Sequence, residues 1–170
     1  MFTHLVSKFI VISSLIVTIT PSLTCAQGFR LLTPTFKSKY LDHPRAIYVY
    51  TPANFKNLKL TSQLPVIYFN DGQNLYDPTR SVFGKTWELE KTLNTLIKQK
   101  LIPPVIAVGI DNTPGRVFEY TFSPGSDGQG GGAKHYMEFL TTELIPYIET
   151  KFPVSNDRTL VGSSLGGLLA

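Results

Sequence analysis

The sequence predicts an α/β fold, with a mostly parallel central sheet and an antiparallel hairpin at its N-terminal side. Three observations carry that expectation. Short apolar runs of strand length at 65–69, 105–110 and 159–162 alternate with two longer segments of helical period, the pattern of strands and crossover helices around a parallel sheet. Ahead of them lie two β-rich stretches separated by Asp42-His43-Pro44, a turn signal. At the far end, Gly162-Ser163-Ser164-Leu165-Gly166 follows the apolar Thr159-Leu160-Val161 and precedes the helix-prone Gly167-Leu168-Leu169-Ala170. Strand, sharp turn and helix start succeed one another there within a dozen residues.

Residues 1–26 differ in kind from the rest. His4 and Lys8 give a weakly basic start, 9–19 is apolar, Pro21 breaks any helix, and Thr24-Cys25-Ala26 offers small residues before a cut at Gln27. That is the pattern of a secretory signal peptide, and the apolar stretch is too short for a stable membrane span. An exported protein, secreted or periplasmic, follows as the expectation, with 27–170 as its one domain. An uncleaved anchor is the bland alternative. Lipid anchoring at Cys25 is a minor one, because Ser22-Leu23-Thr24 is a poor version of the expected Leu-x-Ala/Gly. Cys25 is the single cysteine, so cleavage after Ala26 removes disulfides, thiolate chemistry and Cys-based zinc sites from the mature chain.

The 170 residues suit one domain, and 42% hydrophobic with 16% charged residues describes an ordinary globular core. The net charge of +4 is spread without any block of like charges, which argues against nucleic acid as a partner. In chain order, 31–41 (interrupted by Pro34) and 45–51 read as the hairpin, and 65–69 as a buried strand. A helix is expected over 86–100, with Leu89, Leu93, Leu96 and Ile97 in phase, Glu88 and Glu90 in its first turn, Lys98 and Lys100 in its last. Pro103-Pro104 stops it before the strand 105–110. The glycine-rich 123–132 reads as a flexible loop. A second helix is expected over 133–151, with Tyr136, Leu140, Leu144 and Ile148 on one stripe and a kink at Pro146.

Gly162-Ser163-Ser164-Leu165-Gly166 has the G-x-S-x-G pattern in the strand-turn-helix context of a nucleophile elbow. Its glycines permit a turn that a Cβ would obstruct, and the turn lifts the serine oxygen out of the sheet. Ser164 is therefore the candidate nucleophile. A serine hydroxyl needs a base to take its proton and donors for the oxyanion it creates, and the N–H of Leu165 heads the following helix. A glycine-rich turn that happens to hold serines is the plain alternative. Asn70-Asp71-Gly72-Gln73-Asn74 directly follows the strand 65–69, where this architecture places its other oxyanion donor. Either the N–H of Gly72 or that of Gln73 suits the role. A tight turn stabilised by the Asp71 side chain is equally consistent. Asp71 and Asp77 lack the spacing of a calcium loop.

The chain resembles the esterase D-like family of α/β-hydrolases, which includes enterochelin and feruloyl esterases, acetyl xylan esterases and antigen 85 mycolyltransferases. The resemblance rests on residues 68–74 (YFNDGQN), 105–112 (VIAVGIDN), 116–120 (RVFEY), 143–149 (ELIPYIE) and 162–167 (GSSLGG), in that order, over about 40–170. It implies the N-terminal part of an α/β-hydrolase fold. It also implies Ser164 as nucleophile, Leu165 and Gln73 as oxyanion donors, and no cofactor. The usual chain order places acid and histidine after the serine, and none follows Ser164 within 170 residues. The 170 residues alone are thus expected to be neither a competent esterase nor a well-folded monomer. His43 and His135 are expected to be solvated surface groups, Arg116 and Glu119 to pair with each other within one loop (the alternative being that they reach the substrate from it), and Trp87 to serve as core or pocket wall. The function expected is an exported serine hydrolase that cleaves a small-molecule or carbohydrate-linked carboxylic ester through an acyl-enzyme. The alternatives are an acyltransferase of the same fold and a non-catalytic secreted binding module.

Overall fold

A computed structural model describes residues 28–53, 55 and 63–170; the expected signal segment lies outside the described residues. Five strands form one sheet: β1 (Gly28–Phe36), β2 (Arg45–Thr51), β3 (Leu64–Asn70), β4 (Ile106–Ile110) and β5 (Val154–Val161), in the order β1-β2-β4-β3-β5. β1 with β2 and β2 with β4 run antiparallel, whereas β4, β3 and β5 are parallel. The expected hairpin and parallel sheet are both present. Pro34 cannot donate to a ladder, and the β1–β2 register shifts on either side of Thr33, tolerable because β1 lies at the edge of the described sheet. β5 begins earlier than its apolar run suggests, because the polar 155–158 between Val154 and that run pairs through the backbone with β3 while 156–158 stay exposed.

Alternation along the strands divides the core in two. Val66 and Tyr68 point to one face with Ile47, Val49, Val108 and Ile110, and helices α3 (Ala133–Phe139), α4 (Ile145–Lys151) and α5 (Leu165–Leu169) contribute Tyr136, Phe139, Ile148 and Leu169 there. Phe69, Tyr50 and Ala107 join Leu75 and Leu93 on the other face, under α1 (Leu89–Lys98). Each fully buried large apolar side chain contributes about 1.5–3 kcal/mol of transfer free energy, so these two clusters, not helix propensity, hold the layers together.

Other elements also differ from the sequence expectation. α1 starts at Leu89 instead of 86, because the N–H groups of Trp87 and Leu89 bond to the carbonyls of Asn74 (2.9 Å) and Leu75 (3.0 Å). Its C-terminus closes with Leu101 N–H on Leu96 O and Lys100 N–H on Ile97 O, and Lys100 (φ 58°) takes the left-handed position usually given to glycine. The helix over 133–151 breaks at a π-turn, Leu140–Leu144, upstream of Pro146. Proline lacks the N–H and crowds the carbonyl four residues back, so the strain is absorbed in the turn before it. The buried stripe Tyr136, Leu140, Leu144 and Ile148 survives the break. The glycine-rich segment 123–132 is a loop, as expected, and is tied back by hydrogen bonds: Gly125 N–H meets Gln129 O at 2.7 Å, Gly131 N–H meets Thr121 Oγ1 at 3.0 Å, and Gly132 N–H meets Phe118 O at 2.8 Å.

Candidate active site

The carboxyl ends of β3, β4 and β5 lie side by side, with Phe69 level with both Gly109 and Val161. A parallel sheet whose order reverses about β3 opens its crevice there. Ser164 leaves the end of β5 as the N-cap of α5 with φ 55° and ψ −128°, a conformation disfavoured for any residue with a Cβ. It is exposed, as is Ser163. A Cβ on Gly162 would lie 2.1 Å from the carbonyl oxygen of Gly166, so the strand and the helix approach too closely there for any other residue. Thus the glycine supplies clearance and the serine itself takes the left-handed turn.

The N–H of Leu165 is the first of α5 and meets no acceptor among the described residues, while those of Gly166 and Gly167 bond back to Ser163 and Ser164. Gln73 lies in the short 3-10 turn Gly72–Asn74 after β3, and its N–H likewise has no acceptor among the described residues. Gly72 presses against β4, where a Cβ would meet Gly109 C and Ile110 N at 2.6 Å. The Gln73 side-chain oxygen accepts from Asn112 N–H at 3.2 Å, so the turn is fixed to the residue just past β4.

The Asp71 side chain does not cap its own turn. With φ 59° and only 4% of the side chain exposed, its carboxylate takes two hydrogen bonds from Arg116 (Nε at 2.7 Å, Nη2 at 2.9 Å) and one from Asn112 Nδ2 (2.6 Å). Arg116 opens helix α2 (Arg116–Tyr120), and its Nη2 also reaches Ser163 O at 3.5 Å. The hydrogen bond to Asp71 raises the guanidinium further above its ordinary range, so Arg116 stays charged. Next to it, Asn70 Nδ2 donates to Gly166 O at 2.9 Å, and Tyr136 Oη donates to Asn70 Oδ1 at 2.9 Å. Burial holds the Tyr136 and Tyr120 hydroxyls well above the ordinary tyrosine range; Tyr136 is thus a neutral donor, and Tyr120 Oη accepts from Asp71 N–H at 3.4 Å. Through these bonds the turn after β3 and the elbow after β5 form one unit.

Arg116 and Glu119 do not pair with each other, contrary to the sequence expectation. Glu119 turns the opposite way into the core and takes both terminal nitrogens of Arg45, at 3.0 and 2.7 Å. His135 is exposed on α3, stacked beside Phe118 with Nδ1 3.6 Å from Glu138, and His43 is an exposed turn residue, as expected of both. Trp87 is 37% exposed and packs edge-on against Phe69 at 6.3 Å. Among the described residues no three His, Cys, Asp or Glu side chains converge on a metal position, and no helix is long and apolar enough to cross a membrane. Sequence reading missed Asn70, Asn112 and Arg45, whose partners are remote in the chain.

A five-stranded mixed sheet flanked by helices, with a strained serine between β5 and α5, defines an α/β-hydrolase fold. The chain belongs to the family described as "Putative esterase", which matches residues 38–170. It is similar in structure to an IroE-like serine hydrolase from Shewanella oneidensis, at TM-score 0.68 and 28% identity over 83% of this chain and 45% of that one. The enterobactin esterase FES from Shigella flexneri gives 0.61 and 23% over 86% and 34%. The siderophore hydrolase EstA from Aspergillus nidulans gives 0.62 and 22% over 88% and 53%. The chain thus spans about half the length of these structures or less. No curated protein matches it.

Proposed function

We propose that this protein is a serine esterase in which Ser164 forms an acyl-enzyme. The observation that carries the reading is the exposed, strained Ser164 turn with the unbonded N–H of Leu165 beside it. A base takes the Oγ proton while Oγ attacks the ester carbonyl carbon. The carbonyl oxygen becomes an oxyanion and accepts from the N–H groups of Leu165 and Gln73. Collapse expels the alcohol, which takes up the proton, and water repeats the attack to release the acid and free Ser164. The base and its acid partner are assigned to neither His43 nor His135, since this fold orders them after the serine. A small-molecule or carbohydrate-linked ester is the substrate class.

A fluorophosphonate probe tests the chemistry, because it reacts only with a serine that is activated and backed by oxyanion donors. In the protein as its source makes it, rather than residues 1–170 alone, mass spectrometry with fragmentation should place the adduct on Ser164 in native but not heat-denatured protein. An adduct on Ser163, or none, would overturn the reading.

Export with cleavage before Gln27 is part of the same proposal, resting on the segment 1–26. N-terminal sequencing of protein recovered outside the cytoplasm should begin at Gln27. A retained Met1 or an acylated Cys25 would count against it.

A further inference from the structure

We propose that segment 81–87 walls the ester cleft, and that Phe83 and Trp87 set its selectivity by holding a large apolar group of the substrate. The inference rests on the esterase reading and deepens it. The segment hangs from Asn74, the residue after Gln73. Asn74 Oδ1 accepts from Val82 N–H at 3.0 Å and from Ser81 Oγ–H at 3.2 Å, and its carbonyl accepts from Trp87 N–H. Within the segment Gly84 N–H closes on Ser81 O at 3.1 Å. The wall is therefore anchored on the same short turn that presents the Gln73 N–H.

Its apolar side chains face water. Phe83 is 94% exposed, Val82 half exposed and Trp87 more than a third, three such residues within six positions. Single apolar side chains scattered over a surface are ordinary, whereas a group of them beside a polar site marks a ligand-binding face. Phe83 also holds φ 67° and ψ 11° in the short 3-10 turn Val82–Gly84, a left-handed conformation unusual for a bulky side chain. Its ring joins neither core cluster, so packing does not repay that strain. Trp87 lies deeper. It rests on Phe69, which pairs in register with Val161, three residues before Ser164, and Asn70 beside Phe69 donates to Gly166 O in the elbow. The indole thus stands at the carboxyl end of the sheet, the end that carries Ser164. An apolar group laid over both rings removes their area from water, a gain that grows with the size of the group and that an acetyl cannot supply.

The experiment uses the protein as its source makes it and compares wild type, Phe83→Gly, Trp87→Leu and Leu101→Ser. Leu101 is the control, an exposed apolar residue ahead of β4 at the opposite end of the sheet. One arm reads kcat/KM on p-nitrophenyl hexanoate against the acetate, the other on hexyl acetate against ethyl acetate. Wild type should favour the larger ester in one arm, and that arm names the acyl or the alcohol side as the part held. There Phe83→Gly and Trp87→Leu should each lower the large-to-small ratio about tenfold, the scale of lost contacts in an apolar pocket, and Leu101→Ser should not change it. Glycine is relaxed at φ 67°, so Phe83→Gly removes the ring at an unchanged or higher thermal midpoint and tests the wall even if Trp87→Leu fails to fold. A wild type that favours the smaller ester in both arms, or a Phe83→Gly ratio equal to wild type, would overturn the inference and leave the esterase reading intact. A lower Phe83→Gly midpoint with an unchanged ratio would overturn it too, by showing that the ring is covered by protein and not by substrate. A wild type with neither turnover nor fluorophosphonate labelling would overturn both.

Discussion

Ser164→Ala should lower ester turnover by about 10⁶-fold, to the level of the uncatalysed background plus whatever oxyanion stabilisation remains. The covalent route disappears with the hydroxyl, and base and oxyanion donors act only in concert with it. Ser163→Ala should stay within about threefold of wild type, because Ser163 serves the elbow through its carbonyl, which accepts the Gly166 N–H at 2.9 Å and is kept by alanine. The same position makes a prediction about stability. Ser164 holds φ 55° and ψ −128°, where any Cβ is strained by an amount on the order of 1–3 kcal/mol. Ser164→Gly should therefore raise the unfolding free energy by about 1 kcal/mol, after the extra backbone entropy of glycine is subtracted, while abolishing turnover as completely as alanine does. Urea denaturation followed by circular dichroism gives the first quantity and ester assays the second. A less stable Ser164→Gly would mean that the elbow is unstrained, and an active Ser164→Ala would dismiss Ser164 as the nucleophile.

What could be seen in the sequence was whatever repeats locally. Short apolar runs located the buried strands, the Tyr136-Leu140-Leu144-Ile148 stripe located the helical face, and the spacing of glycines around Ser164 located the elbow. The site's polar scaffold is not local. Arg116 meets Asp71 across 45 positions and Arg45 meets Glu119 across 74. The closeness of Arg116 and Glu119 within one expected loop suggests a pair with each other. In the structure that proximity is overridden, because Glu119 faces the core and Arg116 the elbow. One signal was present and unused. Arg45 is in phase with Ile47 and Val49, the inward positions of β2, and a cation at a core position of a strand demands a buried counter-ion. The π-turn was half visible: Pro146 required an irregularity, but its placement upstream depends on which carbonyls the packed stripe could release.

Glu119→Ala should destabilise the fold by about 3–5 kcal/mol, the usual cost of removing one partner from a buried ion pair. The Arg45 and Glu119 side chains are 1% and 3% exposed, and the guanidinium lies near the rings of Tyr136 (5.5 Å) and Phe139 (5.1 Å). Burial alone would lower the Arg45 pKa, and its hydrogen bond and attraction to Glu119 leave it raised; a guanidinium is nonetheless effectively always protonated, so the charge remains when the carboxylate goes. Its Nε already lacks a partner among the described residues, and Thr113 Oγ1 would lose its acceptor on Glu119 Oε1 as well. Set against a typical domain stability of about 5–15 kcal/mol, the loss is a large fraction of the total. Arg45→Met/Glu119→Leu should recover most of it, since the penalty comes from an unpaired charge and not from lost volume. The urea midpoint reads both variants, provided the slope of the transition is unchanged. A Glu119→Ala midpoint within 1 kcal/mol of wild type would show that the guanidinium finds water once unpaired, and that the pair does not seat α2.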